Sequence, residues 1–118
     1  MRSVGAIWEQ TAQAELERAG LCLVARNWQC RYGELDLVMR DGATLVFVEV
    51  RYRNAASVAD GTESIGVSKR RRLIHSAQLF LAAHPAFAHS PCRFDSVAFG
   101  GSAGQASCDW IRGAFEAF

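Results

Sequence analysis

Two apolar segments that are joined by a turn and interrupted by charges place the strongest constraint on the fold of this chain. Residues 33–53 read GELDLVMRDGATLVFVEVRYR, with alternating apolar residues on both sides of Asp41-Gly42. This pattern predicts a β-hairpin with strands near residues 34–40 and 45–51. Glu34, Asp36 and Glu49 lie within these strands, and a buried charge is strongly destabilising unless a partner compensates it. The hairpin therefore requires compensating charges close to its acidic residues.

The rest of the chain predicts two helices and three further strands around this hairpin. Apolar residues at helical spacing precede a helix-stopping Gly20, and Ser68 is a suitable N-cap for a second helix. The predicted ranges are a helix over 4–19, a strand over 21–30, a loop over 54–67, a helix over 68–83, a strand over 92–99, a glycine-rich connection (GGSAG) and a strand over 107–115. The order α-β-β-β-α-β-β favours an α/β domain with a mixed central sheet flanked by helices. We expect residues 1–118 to form one such domain.

Composition excludes several classes of protein. Half of the 118 residues are hydrophobic and the formal net charge is +1, so any nucleic-acid surface must be a local basic cluster. The four cysteines form no CxxC pair and share no metal-ligand spacing with the histidines, which argues against a structural zinc site. No signal or membrane segment is apparent. We therefore expect a cytoplasmic protein without a membrane partner, with reduced cysteines that serve mostly as small core residues.

The length of the hairpin loop decides which charges meet across the strands. Alternation places Glu34 and Asp36 on one face and Leu35, Leu37 and Met39 on the other. A two-residue loop at Asp41-Gly42 sets Asp36 opposite Phe47, whereas a four-residue loop sets it opposite Glu49. Either loop gathers the carboxylates on one face, and a three-residue loop separates them.

Carboxylates gathered on one face repel each other, and two kinds of compensation fit the sequence. A divalent cation such as Mg²⁺ takes carboxylate oxygens and retains water molecules. Alternatively, Arg51 or Arg53 pairs with Glu49 in a structural ion network. Spacing alone leaves both interpretations open.

A set of motifs along most of the chain carries a resemblance to a known family. Asp36 followed by Glu49-Val50-Arg51 on the next strand resembles the PD-(D/E)xK nuclease core. More closely, the chain resembles the uncharacterised bacterial YraN family, which is related to archaeal Holliday junction resolvases of the restriction-endonuclease-like fold. The matching segments are Glu9 with Ala12 and Leu16, Ala25-Arg26-Asn27-Trp28, Gly33-Glu34-Leu35-Asp36-Leu37, Val46-Phe47-Val48-Glu49-Val50-Arg51, Lys69 with Leu73, Ala77 and Leu81, Arg93-Phe94-Asp95, and Ala114-Phe115.

This resemblance implies a Mg²⁺- or Mn²⁺-dependent nuclease that acts on branched or structured DNA, and it suggests a homodimer. The implied metal ligands are Asp36, Glu49 and Glu9, and the implied catalytic set adds Arg51 and Lys69. The chain departs from the nuclease pattern at two positions. Arg51 replaces the nuclease lysine, and a guanidinium group, which stays charged in proteins, cannot act as a base. Trp8 stands where a small residue is expected and would narrow access to the site.

Basic residues at the start of the second predicted helix form the candidate nucleic-acid surface. Lys69, Arg70, Arg71 and Arg72 occupy its first turn, where the helix dipole disfavours positive charge, so we expect an anionic partner such as phosphate. The alternative is a solvated basic face. Lys69 shares the phase of the apolar stripe and is expected to point inward, and Arg53 is assigned to the same surface.

Three functions follow, in decreasing order of preference. The first is the Mg²⁺-dependent nuclease. The second is a catalytically inactive nucleic-acid-binding module of the same fold, and the third is a protein–protein adaptor. Asp95 is interpreted as a structural partner of Arg93 rather than as a metal ligand.

Overall fold

The structure follows the predicted order of helices and strands. The computed structural model describes residues 4–53, 65–100 and 107–115. Its elements are α1 (Val4–Arg18), β1 (Cys22–Cys30), β2 (Gly33–Asp41), β3 (Thr44–Arg53), α2 (Val67–Ala83), a short 3-10 helix (Pro85–Phe87), β4 (Cys92–Gly100) and β5 (Ser107–Phe115). The order α-β-β-β-α-β-β is therefore confirmed. Most of the loop predicted over 54–67, and the GGSAG connection after Gly100, lie outside the described residues.

The five strands form one mixed sheet in the order β1-β2-β3-β4-β5. β3 and β4 are parallel, and the other neighbouring strands are antiparallel. Parallel neighbours cannot be joined by a tight turn, and α2 lies in the crossover between them. The sheet thus combines the predicted hairpin with a crossover that brings α2 against it.

Each helix packs on its own cluster of sheet residues. α1 contributes Ala12 and Leu16 to one buried cluster, and α2 contributes Leu73, Ala77 and Phe80 to a second. The sheet residues of the α1 cluster are Leu37, Met39, Val46, Val48, Val97 and Phe99, and those of the α2 cluster are Leu35, Val38, Leu45, Phe47, Phe94 and Phe115. Neighbouring residues of β3 alternate between the clusters, as expected for a sheet covered on both faces.

The C-terminus of α1 is capped by backbone hydrogen bonds, whereas the N-terminus of α2 differs from its predicted cap. α1 ends in a Schellman motif, in which the Leu21 amide donates to the Leu16 carbonyl (3.1 Å) and the Gly20 amide donates to the Glu17 carbonyl (3.0 Å). Gly20 has a φ of +100°, which explains the glycine at this stop. At the start of α2, the predicted cap at Ser68 is wrong, because the helix begins at Val67 with Gly66 as N-cap. Within residues 4–53, 65–100 and 107–115, no side-chain hydrogen bond caps this N-terminus.

The prediction that Leu35 shares a face with Leu37 and Met39 is wrong. Leu35 belongs to the α2 cluster, whereas Leu37 and Met39 belong to the α1 cluster. Pairing of β2 with β3 extends from Asp41 only to Leu37. On the other side of β2, Asn27 of β1 has a left-handed φ of 51°. Simple alternation therefore fails where β2 loses regular pairing.

The prediction that the cysteines serve mostly as core residues is also wrong. Cys22 and Cys108 are exposed, Cys30 and Cys92 are partly buried, and all four are free thiols. Larger aliphatic and aromatic side chains fill both clusters instead. Neither α1 nor α2, the α-helices of the described ranges, is long and apolar enough to cross a bilayer.

Candidate carboxylate site and basic cleft

The register of the β2–β3 hairpin brings Asp36 to Glu49. Asp41 pairs with Thr44 across a two-residue turn at Gly42-Ala43, so the predicted turn at Asp41-Gly42 is wrong by one residue. Continuing this register places Asp36 across from Glu49, the pairing that was predicted for a four-residue loop. The ladder stops one pair earlier, so the strands separate at Asp36. The backbone amide of Val50 donates to the Asp36 carboxyl (2.9 Å) in this gap. The Asp36 carboxyl thus accepts a hydrogen bond that a backbone carbonyl would accept in a regular sheet, and it is held between β2 and β3.

The Asp36 carboxyl lies in an environment that strongly disfavours its charge. Burial and the negative charge of Glu49 raise its pKa to about 8, with a smaller contribution from Glu9. The hydrogen bond from the Val50 amide acts in the opposite direction, and a hydrogen bond also links the Asp36 and Glu49 carboxyls. These surroundings therefore favour the protonated form of Asp36 near neutral pH in the metal-free protein.

A second group of carboxylates approaches Asp36 from α1 and from the start of β2. Glu9, Glu34 and Asp36 each offer an oxygen, and these oxygens lie within 4.8 Å of one another. The Asn27 side-chain amide donates to both Glu9 (2.6 Å) and Glu34 (2.7 Å). Carboxylate oxygens at this spacing are hard ligands of the kind that Mg²⁺ and Mn²⁺ prefer. Of the predicted ligands, Glu9 and Asp36 thus lie in one group with Glu34, which was not predicted as a ligand, whereas the predicted ligand Glu49 is not part of this group.

Lys69 of α2 forms an ion pair with Glu49 of β3. The Glu49 carboxylate is 7% exposed and contacts the Lys69 ammonium. The helix phase of Lys69 predicted this inward direction. Arg51 lies two residues after Glu49 on β3, is partly buried, and does not line the cleft described next. A lysine from the facing helix thus contacts the second acid of the motif.

Except for Glu9, these acids line an open cleft of about 360 Å³ between the β2–β3 hairpin and α2, together with Lys69. Its lining residues are Tyr32, Gly33, Glu34, Asp36, Glu49, Lys69, Arg72, Leu73 and Ser76. Trp8 is absent from this lining. Its ring packs on Tyr52 (5.0 Å between centroids) and Phe99 (4.8 Å), so it does not narrow the cleft as predicted. The cleft presents carboxylates from the sheet and cations from α2.

The predicted basic residues divide between the cleft and the outer surface. Lys69 and Arg72 line the cleft, while Arg71 is exposed outside it. Arg70 is partly buried, and its Nε atom has no hydrogen-bond partner within the described ranges. For Arg53 the structure describes the backbone alone, which pairs with Gly100. A nucleic-acid role for these cations remains a prediction.

Asp95 is a structural residue, as predicted. Its carboxylate accepts two hydrogen bonds from the Arg93 guanidinium (2.8 and 3.0 Å). Two further hydrogen bonds come from the Trp110 indole (2.9 Å) and the Gly113 amide (3.0 Å). The carboxylate is fully occupied and links β4 to β5.

Sequence reasoning missed two residues of the site, Asn27 and Tyr32. Asn27 was quoted only as part of a motif, yet a short polar amide within a strand is one of the few side chains that tolerate a positive φ. Tyr32 directly precedes Gly33, whose φ is +137°. An aromatic residue before a turn glycine gives no sign of which surface it meets, so its position required the structure.

Comparison with known proteins places the whole described site within one family. A family model described as "Uncharacterised protein family UPF0102" matches residues 8–99, which include every site residue named above. A UPF0102 protein of Xanthomonas campestris pv. campestris (strain B100) is 58% identical over 112 residues, covering 95% of this chain and 90% of that protein. Another, from Stutzerimonas stutzeri (strain A1501), is 50% identical over 115 residues, covering 98% and 96%.

A UPF0102 protein of Pseudomonas aeruginosa (strain LESB58) is also 50% identical, over 118 residues that cover 98% of this chain and 94% of that protein. These relatives are similar along nearly their entire length. They support the predicted YraN-family assignment, and the broader nuclease relationship is consistent with the fold. The chain therefore belongs to the uncharacterised protein family UPF0102.

Proposed function

We propose that this protein is a Mg²⁺- or Mn²⁺-dependent nuclease that hydrolyses phosphodiesters of branched or structured DNA. The observation that carries the proposal is the environment of Asp36. Its carboxyl is buried against Glu49 and Glu9, and its pKa is raised to about 8. A structural role alone does not require three acids around one gap between strands, whereas a cation would neutralise them together.

The chemistry of the donor set fits a hard divalent cation. Glu9, Glu34 and Asp36 supply carboxylate oxygens at compatible spacing, and Glu49 lies beside Asp36. Asn27 holds Glu9 and Glu34 in place through its amide. When bound, the cation would act as a Lewis acid that lowers the pKa of a coordinated water molecule and offsets negative charge on the phosphate.

The cations of α2 support a phosphate substrate. Lys69 and Arg72 line the same cleft as Glu34, Asp36 and Glu49, and among the described residues no side-chain hydrogen bond caps the start of the helix. A phosphate in the cleft would therefore meet two side-chain cations near a helix N-terminus. Lys69 would keep its ammonium beside Glu49, where it can orient a water molecule or stabilise charge that develops on the phosphate.

A nucleic-acid-binding module without turnover is the second candidate, and Arg51 is the observation that favours it. Arg51 occupies the place of the nuclease lysine, and a guanidinium supplies positive charge but no proton transfer. In this alternative, Lys69 would serve only to neutralise Glu49 and contact phosphate. The two candidates share ligand binding and differ only in bond cleavage.

Isothermal titration with Mn²⁺ tests the cation site directly. We expect Asp36→Asn and Glu49→Gln each to weaken Mn²⁺ binding by at least about tenfold, because each removes a charged ligand oxygen while preserving shape. Glu17→Gln, on the exposed side of α1, is the matched control and should bind as the wild type does. Wild-type affinity in both site variants would rule out the proposed cation site.

Cleavage assays over junction, flap and linear DNAs, with Mg²⁺ or Mn²⁺, separate the two candidates. For the nuclease, Lys69→Met should abolish cleavage and leave Mn²⁺ binding intact, while Arg51→Lys should preserve or raise activity. If Arg51→Lys instead creates cleavage in a protein that had none, and Lys69→Met changes only DNA affinity, the natural protein is a binding module.

A further inference from the structure

An aromatic pair lies at the edge of the cleft, where Tyr32 lines the cleft and His75 lies outside its lining; we call this pair the aromatic rim. Tyr32 lies in the connection from β1 to β2, and His75 lies on α2. Their ring centroids are 4.8 Å apart and their planes are inclined by 45°. Tyr32 lines the cleft beside the carboxylates, and His75 is exposed. The aromatic rim is thus open to a ligand that enters the cleft.

Cations surround the aromatic rim. The Arg31 guanidinium lies 5.0 Å from the centre of the Tyr32 ring and donates a hydrogen bond to the Tyr32 hydroxyl (3.4 Å). Arg72 precedes His75 by three residues on α2, which places both side chains on the same side of the helix. Aromatic rings interleaved with arginines are the surface that proteins use for unpaired nucleotides, since rings stack on bases and arginines contact phosphates.

The position of Tyr32 differs from that of the core aromatic residues. Phe47 and Phe80 are almost completely buried in the α2 cluster, and each contacts other aromatic rings there. Tyr32 belongs to neither buried cluster and lies among charged residues of the cleft. Packing of the apolar core therefore does not account for its aromatic ring.

We propose that the aromatic rim stacks an unpaired base of the DNA substrate next to the phosphate that enters the cleft. In a duplex, neighbouring bases cover both faces of each base, and only the base edges are accessible in the grooves. Stacking on the aromatic rim therefore requires a base released from its stack, as at a flap or a junction. The inference rests on the proposed function and deepens it, because it assigns the choice of unpaired over paired DNA to Tyr32 and His75.

Binding measured in EDTA, where a metal-dependent nuclease cannot cut, tests this inference. The probes are a DNA flap with 2-aminopurine at the first unpaired position and a fully paired duplex of matched length. We expect tighter binding to the flap and a change in 2-aminopurine fluorescence when the base stacks. Tyr32→Leu should weaken flap binding by about fivefold to a hundredfold, the range for loss of one base–aromatic contact, and leave duplex binding unchanged.

Two further variants keep the test independent of folding. Tyr32→Phe retains the ring and should bind the flap as the wild type does, and His75→Ala, at an exposed position, should weaken flap binding alone. Equal wild-type affinity for both probes, or equal losses in Tyr32→Phe and Tyr32→Leu, would overturn the inference and leave the proposed function standing. Failure of the wild type to bind either probe would overturn both. Unchanged Mn²⁺ affinity in Tyr32→Leu would confirm an intact cation site.

Discussion

Two aspartates of the same sheet, the buried Asp95 and the partly buried Asp36, have opposite surroundings. Asp95 of β4 is 1% exposed, and its carboxylate accepts hydrogen bonds from Arg93, Trp110 and Gly113. Asp36 of β2 accepts a hydrogen bond from the Val50 amide and faces other carboxyl groups. The first aspartate is stabilised in its charged form, and the second is forced toward its neutral form.

This difference separates a structural acid from a candidate ligand acid. A buried carboxylate that is satisfied by donors has no remaining capacity for a ligand, and its removal leaves those donors unpaired. A buried carboxyl that faces like charges is destabilising until a proton or a cation compensates it. Both aspartates are shielded from solvent to a different degree, but it is the identity of the neighbouring groups that separates their roles.

The largest expected effect is the loss of stability in Asp95→Asn. The amide would present an N–H group to donors that need an acceptor, and the Arg93 charge would lose its closest partner. We expect the free energy of unfolding to fall by about 3 kcal/mol, as for a broken buried ion pair. Urea denaturation followed by circular dichroism measures this change. A loss below about 1 kcal/mol would show that the hydrogen bonds of Asp95 are not essential to the fold.

The same chemical change at Asp36 should have the opposite sign. Asp36→Asn mimics the protonated side chain, can still accept from the Val50 amide, and removes repulsion with Glu49. At pH 8 we expect the metal-free variant to unfold at least about 4 °C above the wild type, which corresponds to about 1 kcal/mol in a domain of this size. Differential scanning calorimetry in EDTA would measure the shift. A lower unfolding temperature would contradict the assigned repulsion.

The pH dependence of the metal-free wild type follows from the same group. Because its surroundings raise the pKa of Asp36 from its usual 3.8 to about 8 in the folded state, the folded state holds the proton more tightly than the unfolded state. The resulting stabilisation is complete below pH 3.8 and is lost as pH rises through about 8.

Unfolding curves at several pH values, compared between the wild type and Asp36→Asn, isolate this contribution, since only the wild type should show it. Parallel pH profiles for the two proteins would indicate that Asp36 is already ionised at neutral pH. The comparison also cancels the titration of carboxylates elsewhere in the chain.

The smallest expected effect concerns one donor of Asp95. Trp110→Phe removes the indole N–H group and retains an aromatic ring, so we expect a loss of about 1 kcal/mol, the typical net value of one hydrogen bond. Arg112, whose guanidinium lies 4.1 Å from the Trp110 ring centre, would keep an aromatic neighbour. A loss as large as that of Asp95→Asn would show that packing of the indole, rather than its hydrogen bond, stabilises this region.

Most of the fold could be predicted because the spacing of apolar residues and the residues that end helices and strands depend only on neighbouring positions in the sequence. Gly20 ends α1 where its conformational freedom predicts, and the hairpin register is one of the alternatives that the sequence allowed. The face of Leu35 could not be predicted, because strand alternation does not reveal where pairing ends. Ser68 was an attractive cap, yet α2 begins one residue before it.

The positions of site residues were predictable where strand pairing or the phase of a single helix determines the direction of the side chain. Asp36 and Glu49 follow from the hairpin, and the pairing of Lys69 with Glu49 follows from the phase of α2. The contact of Asn27 with Glu9 joins β1 to α1, and the contact of Tyr32 with His75 joins a turn to α2. Such contacts between distant segments depend on packing geometry that residue spacing does not specify.

The irregular positions in the outer strands also affect how the molecule behaves in concentrated solution. The pairing of β1 with β2 shifts register between Leu23 and Ala25. Asn27, further along β1, has a left-handed backbone conformation. At the other edge, the pairing of β5 shifts register near Gly113, whose φ is +61°. A long regular edge would offer its free amides and carbonyls to another molecule, and such interruptions block the growth of intermolecular sheets. We therefore expect Asn27 to limit association of this edge with other molecules, in addition to binding Glu9 and Glu34 through its side-chain amide.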